Sequence, residues 1–407
     1  MRYLFVHQNF PGQYLHFIRH LVDDPANEVV FLGEPNPNAI EGVRRVMYNQ
    51  PKPEQDSVHP MARDFDLAAR RAEIAAGMAS NLKRLGFTPD IIIGHHGWGE
   101  MLNLQDVWPE VPILGYFEFY YRTNGQDVTY DPEFPIDTDR FARIRAMNVV
   151  NLLAIAMEQH GQTPTQWQLT RYPEWARGNM RLIREGAHLD KCKPEPAARK
   201  RAFSIGDFHV KAGEKLVTYV ARNLEPYRGF HTMMRALPHL MAARPDLKVV
   251  MVGGDDVSYG ARLASGTWRE HFQKNLAGTY DESRLCLPGQ IPYDKYMEML
   301  KRSDVHVYLT YPFVASWSLR EALACGCAVV GSDVESVSEF ISHDSNGLLV
   351  PGLDSRKLAE TVLNLCEDDK LNRRLRAGAR RYAERHLDMK DYFAAMTATV
   401  KDLTGAN

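Results

Sequence analysis

Short, continuously apolar runs alternate along this chain with longer stretches in which apolar residues recur every three or four positions. In the first half the apolar runs cover 2–7, 28–32, 91–93 and 113–117, and the helical spacing covers 13–22 and 62–85. The second half repeats the style. Strand-like runs cover 215–221, 248–252, 305–309 and 328–331, and helical spacing covers 229–244 and 293–302. Largely apolar strands without strict alternation, separated by helices, predict parallel sheets covered on both faces. From residue 355 helical spacing dominates, and Asp388 is placed to cap a last helix over 389–403.

The pattern predicts an α/β chain of two Rossmann-like, doubly wound domains. The charged, proline-rich stretch Lys191-Cys192-Lys193-Pro194-Glu195-Pro196 marks a linker. The expected division is 1–190, a linker at 191–214, a second domain at 215–386, and a C-terminal helix at 387–407 that packs back on the first domain. Two such domains present the carboxyl ends of two parallel sheets to a cleft, the ligand edge of open α/β folds.

Composition narrows the function classes. The 407 residues carry a net charge of −2 and no long basic block, which argues against nucleic acid as a partner. There is no run of eighteen apolar residues, so no transmembrane helix is expected. Residues 1–7 read as a strand rather than a leader peptide. The five cysteines form no Cys-x-x-Cys pair and fit reduced thiols in a cytoplasmic protein.

The most informative segment runs from Pro312 to Val330. An irregular loop leads through Ser316-Trp317-Ser318-Leu319 into a helix that ends at Gly326 and feeds an apolar strand. A helix start offers unpaired N–H groups and partial positive charge to a phosphate. Glu321, one turn in, is placed to accept hydrogen bonds from a ribose diol. Taken locally, Ser318-Leu319-Arg320-Glu321 also fits a capping box, the commoner use of that spacing.

Three further segments point to a phosphorylated ligand. Arg222 and Arg228 flank a turn after the 215–221 strand, where guanidinium forks suit diphosphate oxygens. Gly12 and Gln13 open the first helix in His7-Gln8-Asn9-Phe10-Pro11-Gly12-Gln13, where Gly12 admits close backbone approach to an anion. The Gly-broken stretch Leu287-Pro288-Gly289-Gln290-Ile291 is suited to present backbone groups to a planar base. No Asp-x-Asp stands in a convincing loop: Asp131 and Asp137-Thr138-Asp139 follow an aromatic-rich insertion. No metal is therefore expected.

Taken in order, these segments resemble the retaining glycosyltransferases of sequence family 4, which have the GT-B fold. The matching blocks are 222–229, 250–254, 287–291, 303–305, 319–326 with Val329-Val330, and 347–351, joined by Arg184-Glu185-Gly186-Ala187-His188-Leu189-Asp190. The His7–Gln13 opening and the Tyr311–Trp317 block resemble a branch acting on bacterial surface polysaccharides. The resemblance implies transfer of a sugar from a UDP- or GDP-sugar to a glycan, lipid-linked or other acceptor. It implies no cofactor beyond that donor, and it is compatible with peripheral membrane contact. It also implies front-face attack, with the leaving phosphate helping to deprotonate the acceptor.

The implied catalytic set is Glu118, Arg222, Arg228 and Glu321. The implied donor-binding set is Gly12, Gln13, Gln290, Ile291, Ser316, Trp317, Ser318 and Leu319. Two departures from the family pattern stand out. The first of the family's two glutamates, seven residues apart, is Phe313 here, and the position that holds a histidine in many relatives is Glu118. His95 and His96, after the preceding strand, are the alternative acceptor-side residues. A nucleotide-sugar epimerase of the same fold, or a non-catalytic nucleotide-sugar binder, remains as an alternative reading.

Overall fold

The computed structural model describes residues 1–52 and 57–406. They form two compact units. The first comprises 1–124, 135–185 and 390–407, and the second comprises 125–134 and 186–389.

The first unit holds a seven-stranded sheet. Its strands are β1 (Arg2–Val6), β2 (Glu28–Gly33), β3 (Val43–Met47), β4 (Ile91–His95), β5 (Ile113–Tyr116), β6 (His160–Thr163) and β7 (Met180–Leu182). Their order is β3-β2-β1-β4-β5-β6-β7, and every pairing is parallel. Leu4, Val6, Val30, Leu32 and Ile92 share one buried cluster with the Arg63–Arg84 helix. Phe5 turns to the other face and packs on Tyr14 and Phe17. Burying each such side chain contributes about 1.5–3 kcal/mol. The last helix, Met389–Thr404, sets Tyr392 against Phe17 and stacks Phe393 on His20.

The second unit repeats the winding. Strands β8 (Phe203–Ile205) and β9 (Phe208–Val210) make an antiparallel hairpin. The main sheet uses β10 (Lys215–Asn223), β11 (Leu247–Gly254), β12 (Leu285–Cys286), β13 (Val305–Tyr308), β14 (Val329–Ser332) and β15 (Leu348–Val350). Its order is β12-β11-β10-β13-β14-β15, again wholly parallel. Val217 and Tyr219 join the cluster on one face, and Leu216 joins the other. Both faces are thus covered, as the unbroken apolar runs require. Phe203, Ile205 and Val210 are part of that second cluster, so much of 191–214 is structured core rather than free linker.

Both sheets have the strand order of a dinucleotide-binding fold, with a reversal between β1 and β4 in one and between β10 and β13 in the other. Ligands of such folds bind beyond the carboxyl ends of the strands at that reversal. In the first unit the residues there are His7 and His95. In the second they are Arg222 and the loop after β13.

Candidate functional site

The predicted residues divide between the two units. Arg222, Arg228, Gln290, Ile291, Ser316, Trp317, Ser318, Leu319 and Glu321 belong to the second unit, and Gly12, Gln13, His95, His96 and Glu118 to the first.

At the end of β10, Arg222 is exposed and has no hydrogen-bond or ion-pair partner among the described residues. Arg228 differs sharply. It is only 7% exposed, and its Nη1 donates to Thr310 Oγ1 and to the Val314 carbonyl, each at 3.0 Å. Its guanidinium lies over the rings of Tyr259 and Phe313, at 5.0 and 5.5 Å from their centroids. A turn of helix places it there: Gly229, at φ +70°, closes the Pro226–Arg228 turn and starts the Phe230–Ala243 helix. A Cβ at residue 229 would sit 2.3 Å from Leu309 Cβ, so this site excludes side chains on two grounds.

Phe313 is 6% exposed and packs on Tyr227 and Tyr259, at 5.1 and 4.7 Å between centroids. The loop that brings Tyr259 over it is pinned by a buried carboxylate. Glu225 accepts the backbone N–H groups of Ser258 at 3.1 Å, Tyr259 at 3.4 Å and Gly260 at 2.9 Å. Burial pushes the Glu225 carboxyl up, and these three N–H groups oppose the shift. Asn223 ties the same loop through Ser258 Oγ at 2.7 Å. Gln290 is exposed and Ile291 half-buried beside β11, where Gly253 N–H donates to the Gly289 carbonyl.

The helix after β13 spans Trp317–Ala324 and has Ser316 at its N-cap, with no side-chain cap. The Ser316 N–H donates to the Tyr308 hydroxyl at 2.8 Å, and the Ser316 and Ser318 hydroxyls bond each other at 2.6 Å. Leu319 is fully buried under the helix. The spacing of Ser318 and Glu321 therefore does not make a capping box. Glu321 instead accepts from the hydroxyls of Tyr293 at 2.8 Å and Tyr296 at 2.9 Å. Burial raises the Glu321 carboxyl, and the two hydroxyls act against that. Sequence reasoning missed these tyrosines. Their signal is present, since residues three apart on the Tyr293–Arg302 helix share a face.

In the first unit, Gly12 begins a single turn, Gly12–Tyr14, and the helix proper starts at Leu15. A Cβ at Gly12, where φ is +55°, would meet His7 Cγ at 3.0 Å. Gln13, in that turn, is half-buried. His7 Nδ1 accepts the Asn9 N–H at 2.8 Å, and the His7 ring meets the His95 ring edge-on at 5.3 Å. His95 Nδ1 accepts the Gly97 N–H at 2.9 Å. With Nδ1 accepting, Nε2 is the nitrogen left to donate, and it lies 3.1 Å from Glu118 Oε2. Glu118 and His95 form a bonded pair at the carboxyl edge.

His96 does not belong to that edge. It is fully buried against Phe117, and neither ring nitrogen has a partner among the described residues. A Cβ on Gly115 would lie 1.9 Å from its ring. Burial, with His95 adding, pushes His96 down to about 3, so it is a neutral core residue. A strand register explains the correction: β4 ends at His95, and the chain turns His96 back under β5.

One group of side chains has the composition of a cation site. Asp131, Glu133 and His231 offer ligand atoms within 4.8 Å of one another. Each carboxylate already has protein partners. Asp131 accepts from the Tyr311 hydroxyl at 2.5 Å and lies 3.1 Å from His231, and both oxygens of Glu133 bond Arg235 at 2.6 Å. Together with the Tyr227–Asp127 bond at 2.6 Å, these contacts fasten 125–134 to the second unit.

Two family profiles cover most of the chain: one described as glycosyl transferase family 4 group over residues 25–192, and one as glycosyl transferases group 1 over 203–382. The chain belongs to the glycosyltransferases of this family. It is similar to a D-inositol 3-phosphate glycosyltransferase of Thermobispora bispora, with 27% identity over 50% of this chain and 46% of the relative. It also resembles a phosphatidyl-myo-inositol mannosyltransferase of Mycolicibacterium smegmatis, with 29% identity over 39% of this chain and 37% of the relative. The matched part spans less than half the length of either. Among solved structures, a sucrose-phosphate synthase from Thermosynechococcus elongatus superposes with a TM-score of 0.72 at 18% identity, over all of both chains. Anabaena HepE in complex with UDP superposes at 0.69 and 15% identity, over 99% of this chain and all of the other. These likenesses establish the GT-B fold for this glycosyltransferase. Among the described residues no helix is long and apolar enough to cross a membrane.

Proposed function

We propose that this glycosyltransferase moves a sugar from a nucleoside diphosphate donor to a hydroxyl of a glycan, lipid-linked or other acceptor, with retention of configuration and without a metal. One observation carries the reading. The carboxyl edge of the second sheet combines an unpaired Arg222, an uncapped helix start at Ser316–Ser318, and a Glu321 carboxylate held by two hydroxyls. A guanidinium and the positive end of a helix are complementary to a diphosphate, and a fixed carboxylate is complementary to a ribose diol. HepE, of the same fold, takes UDP and UDP-glucose, which supports a uridine donor here.

In this reading Arg222 and the amides of Trp317 and Ser318 neutralise the departing diphosphate, the task a metal performs elsewhere. Gln290 and Ile291 flank the base. Arg228 acts differently from Arg222: it braces the loop from Thr310 to Val314, and its charge bears on the site through the Tyr259–Phe313 stack. Phe313 supplies no carboxylate to the transferred sugar, so sugar recognition rests on other groups. Glu118, bonded to His95, is the polar residue at the carboxyl edge of the first sheet that suits a sugar or acceptor hydroxyl, and Gly12 and Gln13 follow the first strand of the same sheet. The leaving phosphate itself takes up the acceptor proton on the face of attack.

The relatives' names favour an acceptor bearing an inositol, as its phosphate or as a phosphatidyl lipid. The cysteines are unpaired thiols, four of the five buried, which suits a reducing compartment such as the cytoplasm. The test is a panel of UDP- and GDP-sugars read by nucleoside diphosphate release and by thermal shift, because a ligand that binds the folded state raises apparent stability. Product anomeric configuration by NMR tests retention. Stabilisation by a donor without hydrolysis or transfer would leave a binding protein. Interconversion of free donors would leave an epimerase.

A further inference from the structure

The opposite edge of the second sheet carries a cleft of about 880 Å³. Lys215 opens β10, Asp304 immediately precedes β13, and Gly326 lies shortly before β14, so the cleft sits at the amino ends of three adjacent strands. Arg222, at the other end of β10, is seven residues away from Lys215 along an extended strand, roughly 23 Å at 3.3 Å per residue. The cleft is therefore separate from the candidate donor site.

Its charge is unbalanced. Seven Lys or Arg residues line it against three acids. Each acid has a cationic neighbour within the protein. Asp304 pairs with Arg199 at 3.0 Å and Arg302 at 2.9 Å, Asp369 lies 3.9 Å from Arg199, and Glu214 lies 3.4 Å from Lys248. Lys200, Arg373 and Arg381 have no side-chain partner among the described residues. Arg376 also lines the cleft, and its Nη1 donates to the Ser303 carbonyl at 2.9 Å. Burial pushes Arg376 down from its ordinary value, and the neighbouring Arg199 adds to the shift. Arg380, in the same wall, is taken up by Glu384 at 2.7 Å and by the Cys192 and Ala324 carbonyls. Lys200, Arg373 and Arg381 are left for a ligand, and guanidinium forks suit phosphate oxygens bidentately. Pro194, Pro196 and the arginine stems add apolar wall for an organic body, and the volume lies in the usual range for small-molecule sites.

We propose that this basic cleft is a second ligand site, which binds a soluble organic compound carrying two or more phosphate groups. Phosphates on a sugar-sized body match both the cations and the apolar wall. The concave shape favours a free molecule over a flat bilayer.

The test uses fructose 1,6-bisphosphate as probe, titrated calorimetrically into the full chain at fixed ionic strength. Three proteins are compared: wild type, Arg222→Ala, and the double variant Arg373→Ala with Arg381→Ala. Both cleft arginines are exposed and unpartnered, so the double variant is expected to melt like wild type. Saturable binding is expected in wild type and in Arg222→Ala, and at least tenfold weaker binding in the double variant. A second arm offers vesicles of phosphatidylcholine with 5% phosphatidylinositol 4,5-bisphosphate in a flotation assay. Absence of saturable binding to the soluble probe overturns the proposal. So does equal binding by the double variant, or loss of binding in Arg222→Ala alone. Flotation with the vesicles but no binding of the soluble probe would make the cleft a membrane contact and overturn it too. Donor binding by the wild type is measured separately, so failure here leaves the donor-site reading standing.

Discussion

The buried Tyr296 hydroxyl donates to one oxygen of Glu321 at 2.9 Å, while Tyr293 holds the other oxygen at 2.8 Å. The carboxylate is thus fixed from a neighbouring helix rather than spent on its own helix start. That separates ligand binding from helix capping, two roles that local spacing alone leaves merged. Glu321→Gln keeps the shape and one carbonyl acceptor but lacks the charge that strengthens bonds from two hydroxyls. Without ligand it should melt within a few degrees of wild type. With a nucleoside diphosphate it should gain much less stability than wild type. The deficit should shrink for a 2′,3′-dideoxyribose analogue. If Glu321→Gln binds both nucleotides as wild type does, the ribose assignment is wrong.

The two arginines of the 222–229 turn should separate in their phenotypes. Arg222 is exposed and unpaired, so Arg222→Ala should leave the melting temperature unchanged. A charge-assisted hydrogen bond contributes about 1.5–3 kcal/mol, so diphosphate affinity should fall about tenfold to a hundredfold. Arg228 is buried and bonds Thr310 and the Val314 carbonyl. Arg228→Ala leaves buried acceptors without a donor, at a cost of about 1–3 kcal/mol in stability. Denaturation and nucleotide titration of both variants decide this. Equal stability loss in the two, or unchanged diphosphate affinity in Arg222→Ala, would contradict it.

How much of this was readable in the sequence depends on which forces act locally. Strands β1, β4, β10 and β13 announce themselves because both faces are buried and most of their residues are apolar. Strand β6, His160-Gly161-Gln162-Thr163, is paired on both sides in its sheet but polar, and only its neighbours β5 and β7 define it. The same division holds at the candidate site. Arg222 and the helix start at Ser316 follow from strand–turn–helix order. The environment of Glu321 comes from residues 25 and 28 positions earlier, and no local spacing encodes it. His95 and His96 are adjacent in sequence, yet one reaches Glu118 and the other is sealed beneath Gly115. Only the register of β4 against β5 distinguishes them.

Charge neutralisation by protein groups carries a simple expectation for metals. Transfer activity should survive exhaustive chelation. The Asp131, Glu133 and His231 group is the place where this could fail, but Tyr311 and Arg235 already occupy its carboxylates. Melting temperature with and without EDTA should therefore agree, and added Mn²⁺ or Mg²⁺ should not shift it. Activity abolished by EDTA and restored by either ion would assign a metal to the reaction.

Two buried histidines set a pH dependence of stability. Burial lowers His306 to about 4, and burial with His95 lowers His96 to about 3. An unfolded histidine titrates near 6.5. Between these values the unfolded chain binds a proton that the folded chain does not. Stability then rises with pH across the window and is lost as pH falls below about 6.5. Each histidine should contribute about 1.4 kcal/mol of loss per pH unit. Buried carboxylates raised by burial, such as Glu225, act in the opposite sense, so the wild-type curve alone does not isolate the effect. A variant does. His306→Gln keeps an acceptor for the Thr218 hydroxyl, which lies 2.9 Å from His306 Nδ1, and removes the titration. It should be less stable than wild type at pH 7.5, because packing is disturbed. From pH 7.5 to 5.5 the gap should narrow by about 1.4 kcal/mol, as wild type alone loses its share. Urea unfolding of both proteins at the two pH values measures it, and a gap independent of pH would mean that His306 takes up its proton in the folded state as readily as in the unfolded one.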